Sequence, residues 1–471
     1  MQIIDKMIEE CGVFGLYSKK QMDTFSLMQF GLIALQHRGQ EACGISFLTD
    51  SNIYSFKKEG LVIDAFALID NPKLYQGNAA IGHTRYSTAG GQSKRNIQPL
   101  YAKNGNNEVF ISLAHNGNLV NSNILRQQLE SEGIEFVSSN SDTEVMLNII
   151  QKYFHLGIEQ ALKKMYSLVR GAYSCVLLTQ DSLIAFRDAN GIRPLSLGIT
   201  KDNTYVVSSE TCGLDAVSAE FIREIEPGEM IIINNDGVKS FDIQQNKTKA
   251  LCSFEYIYFS RPDSMMEGDS VYKFRELTGK KLWEQNKIDA DVVIGVPDSG
   301  VPAAIGYSNA SGIPFRPVLL KNKYLGRSFI APSQEMRERT VMLKLNPIVS
   351  EIKGKRVIIM DDSIVRGTTS KRLVNLFKNA GAKEIHFISA SPPIIAPCFL
   401  GLDTPEKENL IAARLSEEEI KIYLGVDSLT YLTMDNLKTL LKVEGYCYGC
   451  FTEKYPVNRH EPELDRIKIA L

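Results

Sequence analysis

The chain has 471 residues, with 53 Lys and Arg against 55 Asp and Glu for a formal charge of −2. That length predicts two to three domains, each able to bury its own core, and the near-neutral charge argues against nucleic acid or a membrane surface as the main partner. No apolar run reaches the roughly eighteen residues of a membrane span, and Glu9 and Glu10 stand where a secretion signal needs small residues, so a cytoplasmic enzyme is the expectation.

Taken in chain order, Met1 to Glu10 read as a removable leader, and CGVFGLYS from Cys11 reads as the start of a strand. DTFSLMQFGLIALQHRG predicts a helix. Short strands follow in EACGISFL, NIYSFKKEG, AAIGHTRYS and EVFISLAHNG, broken by Gly, Asn and Asp turns. The long run SDTEVMLNIIQKYFHLGIEQALKKMYSLVRG predicts a helical stretch, and CVLLTQDSLIAFRD, TYVVSSET and EMIIINNDG return to strands. This pattern predicts an α+β sandwich of sheets between helices. Near residue 250 the character changes to longer apolar strands alternating with helices, the signature of a doubly wound α/β domain. The junction, DIQQNKTKALCSFEYIYFSRPDS, has no Pro/Gly-rich linker. We therefore expect a leader over 1–10 and two closely packed domains over 11–248 and 249–471.

Cys11 is the candidate nucleophile. Removal of the leader would put its thiol on the same residue as a free α-amine, whose pKa near 8 suits it to take the thiol proton and return it to a leaving amine. No distant His is then required, and His37, His83 and His115 read as packing and hydrogen-bonding residues. Cys43, Cys175 and Cys212 sit in apolar or strand contexts and read as buried thiols.

The second half carries KRVIIMDDSIVRGTTS at Lys355 to Ser370. Val357 to Met360 form the continuous apolar run of a strand covered on both faces, with Asp361 and Asp362 where it ends. Two carboxylates there suit ribose hydroxyls and a magnesium ion. Ser363 to Gly367 can bend so that backbone amides, with the hydroxyls of Thr368, Thr369 and Ser370, meet a phosphate at a helix N-terminus. The helix should stop at Gly381. Upstream, DVVIGVPDSG at Asp291 to Gly300 repeats the theme, and both loops could face one crevice at the carboxyl ends of adjacent strands. By composition the basic segment from Lys321 to Arg339 suits a solvated charged loop or a lid equally; the resemblance of the string above to phosphoribosyltransferases implies a lid that closes over the diphosphate and excludes water.

Two sets of strings resemble known families. EECGVFG, LQHRGQEACGI, IGHTRYSTAGG, AHNGNLVN and SNSDTEV resemble the class II glutamine amidotransferases, which are N-terminal-nucleophile hydrolases, and DDSIVRGTTS with VPDSG resembles the phosphoribosyltransferases. Both occur in order over nearly the whole chain, which is similar to the family that joins the two. The resemblance implies that Cys11 attacks the glutamine amide, that the Asn116 side chain and Gly117 N–H form the oxyanion hole, that Arg85 holds the α-carboxylate and that Asp142 holds the α-ammonium. It assigns Asp361 and Asp362 to ribose hydroxyls and Mg²⁺, Ser299 to the metal, and Ser363, Arg366, Gly367, Thr368 and Thr369 to the 5-phosphate. The reaction implied is the first committed step of de novo purine biosynthesis: ammonia from glutamine reaches C1 of 5-phosphoribosyl 1-diphosphate by a shielded route, giving 5-phosphoribosylamine, glutamate and diphosphate.

Cys252, Cys398, Cys447 and Cys450 remain. By spacing alone these could hold zinc, an iron–sulfur cluster or nothing. The family branch that carries a leader also carries a [4Fe–4S] cluster on cysteines in these contexts, so the resemblance implies one such cluster and one Mg²⁺ per subunit, the cluster pinning the C-terminal tail. It further implies inhibition by purine nucleotides and a homotetramer. A sugar-isomerase second half is disfavoured by DDSIVRGTTS, a stand-alone phosphoribosyltransferase by the set Cys11, Arg85, Asn116 and Asp142, and a nucleotide-sensing regulator by the intact acidic pair.

Overall fold

The structure, a computed structural model, describes residues 11–69, 71, 75–86, 94–138, 140–243, 247–321, 345–402, 404–442 and 444–458. The leader over 1–10, the stretch 87–91 of IGHTRYSTAGG and the expected lid over 322–339 lie outside the described residues. No helix among the described residues is long and apolar enough to cross a membrane.

Two antiparallel sheets form the first half. Seven strands lie in the order Ala219–Glu224, Ser196–Thr200, Tyr205–Ser208, Gly12–Met22, Gly77–Arg85, Ala42–Thr49 and Asn52–Glu59. Six more run Gly237–Asp242, Glu229–Asn234, Leu183–Arg187, Gly171–Thr179, Val109–Leu119 and Leu100–Lys103. The two-residue period of a strand assigns the faces. Val13 and Tyr17 pack against Ala114, Val176 and Ile231 of the second sheet, whereas Phe14 and Leu16 pack against Phe25, Met28 and Leu32 of the helix Thr24–Ala34. Helices Ser122–Ser131, Asp142–Tyr153 and Ile158–Leu168 cover the outer face of the second sheet through Leu125, Ile149 and Leu162. The layering is therefore helix, sheet, sheet, helix, which is the expected sandwich.

One expected helical stretch carries an internal turn. The helical stretch over 141–171 divides into Asp142–Tyr153 and Ile158–Leu168, because Gly157 takes a φ of +88°. The apolar periodicity runs through the break, since both helices face the same sheet, and it hides the turn.

The second half holds a parallel sheet with its strands in chain order, Val292–Gly295, Arg356–Asp361, Glu384–Ser389 and Ser428–Tyr431. Val357 and Ile359 pack on one face with Leu373, Val374 and Phe377 of the helix Thr368–Asn379. Ile358 and Met360 pack on the other with Phe274, Ala303 and Tyr307 from the helices Val271–Gln285 and Val301–Ser311. Helices on both faces explain why the Val357 to Met360 run has no polar break.

The halves meet over buried charge. Glu224 of the first half accepts from the Glu267 N–H at 2.6 Å and lies 3.9 Å from Arg187. Burial, and then the Glu267 carboxylate, push the Glu224 carboxyl up from its ordinary 4.5 to about 7 against the pull of Arg187. Between those two values the folded protein holds a proton that the unfolded chain has released, so stability falls as pH rises through the interval. In Glu224→Gln this decline should shrink, as measured by the change in Tm between about pH 5 and pH 8; an unchanged slope would overturn the assignment.

Candidate active sites

A cavity of about 360 Å³ opens in the first half, and its wall includes Cys11, Arg85, His115, Gly117 and Asp142. Strand pairing assembles it. Gly12 lies opposite Thr84, which sets Cys11 beside the end of the strand that delivers Arg85, and the strand Val109–Leu119 delivers His115 and Gly117. The half-buried Cys11 thiol donates to the Tyr86 carbonyl at 3.8 Å, and the Cys11 carbonyl accepts from Arg38 Nε at 3.3 Å.

Asn116 lies between two wall residues but is itself wholly buried. Both polar atoms of its amide lack a hydrogen-bond partner among the described residues. A buried amide left so costs roughly 1–3 kcal/mol, which suits a group whose partner arrives with substrate. Gly117 has a φ of +141°, and a Cβ there would stand 2.0 Å from the Ala172 carbonyl oxygen, so only glycine fits.

Asp142 caps the wall. Burial works to raise its carboxyl, but His115, 3.5 Å from Oδ1, and the Leu119 N–H, 3.1 Å from Oδ2, outweigh it and hold the group below its ordinary value. His83 is pushed down to about 3, by burial first and then by Arg85 and His115, so it is too weak a base for proton work near neutral pH. His37 is bound to Glu210 at 2.7 Å. All three histidines are thus engaged in hydrogen bonds.

In the second half, Asp361 ends its strand and Asp362 follows, each only 1% exposed. Asp362 accepts from Ser299 Oγ at 2.5 Å and from Ser363 Oγ at 2.8 Å, so the VPDSG and DDSIVRGTTS loops face one crevice. Their strands are adjacent, with Val292–Gly295 paired to Val357–Met360. Gly367, at a φ of +80°, turns the chain into the helix Thr368–Asn379, so that the helix N-terminus follows directly on the acidic turn. The helix ends before Gly381, at a φ of +81°. Lys321, where the lid was expected to start, pairs with Asp298 at 2.7 Å.

The four remaining cysteines converge. Leu251–Cys252 pairs in parallel with Tyr446–Cys447, placing Cys252 opposite Cys447. The Cys450 carbonyl accepts from the Ile395 and Ala396 N–H groups, which brings up the loop bearing Cys398. Burial pushes the Cys450 thiol well up, and Cys252, Cys447 and Cys398 each add to the push. Among the described residues, no three or more His, Cys, Asp or Glu side chains form a group that could hold a metal ion. Cys43, Cys175 and Cys212 are buried, and burial raises all three thiols.

Several participants carry no mark in the sequence. Phe399, from the second half, lines the cavity beside Cys11. Arg38 binds Glu255 at 2.7 and 3.0 Å across the two halves. Arg275, buried behind the acidic turn, donates to the Tyr256 and Ser260 carbonyls at 2.8 Å. Only a signal for long-range contact could have found them.

A thiol-lined cavity in a sandwich of two sheets, joined to a parallel sheet with an acidic turn that leads into a helix, defines an enzyme that couples a glutamine amidotransferase domain to a phosphoribosyltransferase domain. Residues 83–216 match the family described as glutamine amidotransferase domain, and residues 270–391 match the phosphoribosyl transferase domain. The chain is similar to the amidophosphoribosyltransferase of Bacillus subtilis (strain 168), with 45% identity over 98% of each chain. It belongs to the amidophosphoribosyltransferase family. A solved structure of glutamine phosphoribosylpyrophosphate (PRPP) amidotransferase from B. subtilis, complexed with ADP and GMP, superposes with a TM-score of 0.90 at 44% identity, over 97% of this chain and 100% of that one. A structure of "the allosteric regulatory enzyme of purine biosynthesis" superposes with a TM-score of 0.91 at 45% identity, over 96% of this chain and 97% of that one.

Proposed function

We propose that the chain hydrolyses glutamine at the Cys11 cavity and adds the ammonia to C1 of 5-phosphoribosyl 1-diphosphate at the Asp361–Asp362 turn, opening purine biosynthesis. The observation that carries this reading is that both sites lie on one chain and that buried polar contacts lead from the first into the second half. Arg38 binds the Cys11 carbonyl and Glu255; Glu255 accepts from Ser260 at 2.7 Å; Arg275 binds the Ser260 carbonyl. Burial pushes Arg275 down to about 10, and the Asp362 carboxylate pulls it back. Ammonia released into water would largely protonate and lose its lone pair, so a covered route between the sites is part of the proposal.

In this reading Cys11, freed at the start of the mature chain by removal of residues 1–10, is the nucleophile and its own α-amine the base. Asn116 and Gly117 stabilise the oxyanion, each donor of this kind contributing roughly 3 kcal/mol. Arg85 and Asp142 hold the two ends of the glutamine backbone. Ser363 and Arg366 to Thr369 hold the 5-phosphate. The domains are those of residues 11–248 and 249–471, in the cytoplasm.

Magnesium suits the second site by its donors: two buried carboxylates and the Ser299 hydroxyl are hard oxygen ligands, and this ion is held by one or two carboxylates plus substrate phosphates. Bound there it would neutralise diphosphate charge. Cys252, Cys447 opposite it, Cys450, and Cys398 on the loop that meets Cys450 are the residues that would hold a [4Fe–4S] cluster. Its duty would be structural, holding the tail against the second domain. Purine nucleotides as inhibitors, supported by the ADP and GMP in the B. subtilis structure, and a homotetramer complete the proposal.

Anaerobically purified protein given glutamine, phosphoribosyl diphosphate and Mg²⁺ is expected to release glutamate and diphosphate together. Glutamate without diphosphate would overturn the coupled reaction. The same sample should contain iron and sulfide in equal amounts, and tightly bound zinc in their place would remove the cluster from the proposal.

A further inference from the structure

We propose that Phe399 to Gly401, in the second half, form a specificity and positioning element of the first half's glutamine site. The inference rests on the assignment of that cavity made above. Phe399 lines the cavity together with Cys11, and its carbonyl accepts from Asn118 Nδ2 at 2.9 Å. The next carbonyl, of Leu400, accepts from the buried Arg193 at 2.7 Å. Gly401 then passes so close to the oxyanion strand that a Cβ would stand 3.1 Å from both Gly117 Cα and Gly117 C, at a φ of +110°.

Phe399 and Gly401 thus meet the strand end that carries Gly117, while Leu400 between them ties the loop to Arg193. The loop is held from behind as well. The Phe399 ring packs on Tyr455 with centroids 4.4 Å apart, and the Tyr455 hydroxyl donates to the Pro397 carbonyl at 2.6 Å. The chemistry of the wall follows. Arg85 and Asp142 supply charge for the polar end of glutamine, while Phe399, on the same wall, offers an apolar surface for its side-chain methylenes. Gly401 touches no substrate and acts through Gly117.

The test uses the full-length protein with Phe399→Ala, Phe399→Leu and Gly401→Ala. Three quantities are compared: glutamine-dependent synthesis, ammonia-dependent synthesis, and the rate at which Cys11 is alkylated by a diazoketone analogue of glutamine relative to iodoacetamide. Phe399→Ala should raise the KM for glutamine and slow alkylation by the analogue about tenfold, as the loss of two buried methylene contacts implies. Alkylation by iodoacetamide and ammonia-dependent synthesis should hold, and Phe399→Leu should recover most of the loss. Gly401→Ala should instead lower kcat with glutamine by about ten- to a hundredfold, as a displaced donor does, with KM little changed. Unchanged glutamine KM and analogue labelling in Phe399→Ala would overturn the proposal, and so would a parallel fall of the glutamine and ammonia reactions in both alanine variants. Failure of the wild-type protein to release glutamate would strike the underlying assignment of the cavity instead.

Discussion

Replacing Cys11 by alanine is expected to lower glutamine-dependent synthesis of phosphoribosylamine by at least about a thousandfold, because among the described residues of the cavity wall no other thiol can form the thioester. His83 is held near a pKa of 3 by burial, and His115 is engaged with Asp142 and Thr143. Supplying free ammonia should restore synthesis to near the wild-type ammonia-dependent rate, since the acidic turn and its helix lie in the other half. Loss of both reactions from a variant whose second domain remains folded would count against separate sites. The same experiment bears on the leader. The α-amine of Cys11 can serve as base only when residue 10 has been cut away, with a pKa near 8 that keeps much of it unprotonated at neutral to mildly alkaline pH. Mass spectrometry of active protein should therefore find a chain that begins at Cys11.

Asp362→Asn should have the opposite pattern, losing the glutamine and ammonia reactions together. Its carboxylate takes hydroxyl hydrogen bonds from Ser299 and Ser363 and draws on the buried Arg275. Asparagine keeps the size and one acceptor oxygen but removes the charge that would face Mg²⁺ and the ribose. Charge stabilisation at such a site contributes several kcal/mol, which at about 1.4 kcal/mol per factor of ten is about a thousandfold in rate. Steady-state diphosphate release with each nitrogen source measures it directly. Labelling of Cys11 by a glutamine analogue should continue in this variant. A fall confined to the glutamine reaction would show that the turn serves the wrong half.

Much of this protein could be read from contiguous strings. VIIMDDSIVRGTT is legible because a strand end, an acidic turn and a helix start that meet a phosphorylated sugar must follow one another along the chain. Cys11, Arg85, Gly117 and Asp142 were legible as fragments, each with a residue type whose chemistry is specific, and the structure sets all four on one cavity wall. Asn116 lies just behind that wall, fully buried, with its amide unsatisfied. Periodicity marked the 141–171 stretch as helical but not the turn at Gly157, because hydrophobic spacing reports the face a helix presents and two helices here share that face.

The amino-acid order by itself determined the two domain types and the acidic turn, and marked Cys11 as the candidate nucleophile, because each depends on neighbours within a few residues. Only tertiary structure decided which distant groups meet. Phe399 beside Cys11, Arg38 bound to Glu255, Arg275 behind Asp362, and Gly401 against Gly117 are ordinary residues in ordinary local contexts. Their roles arise where two independently patterned domains pack together, and a contact between surfaces far apart along the chain leaves no local period, spacing or cap from which it could be read.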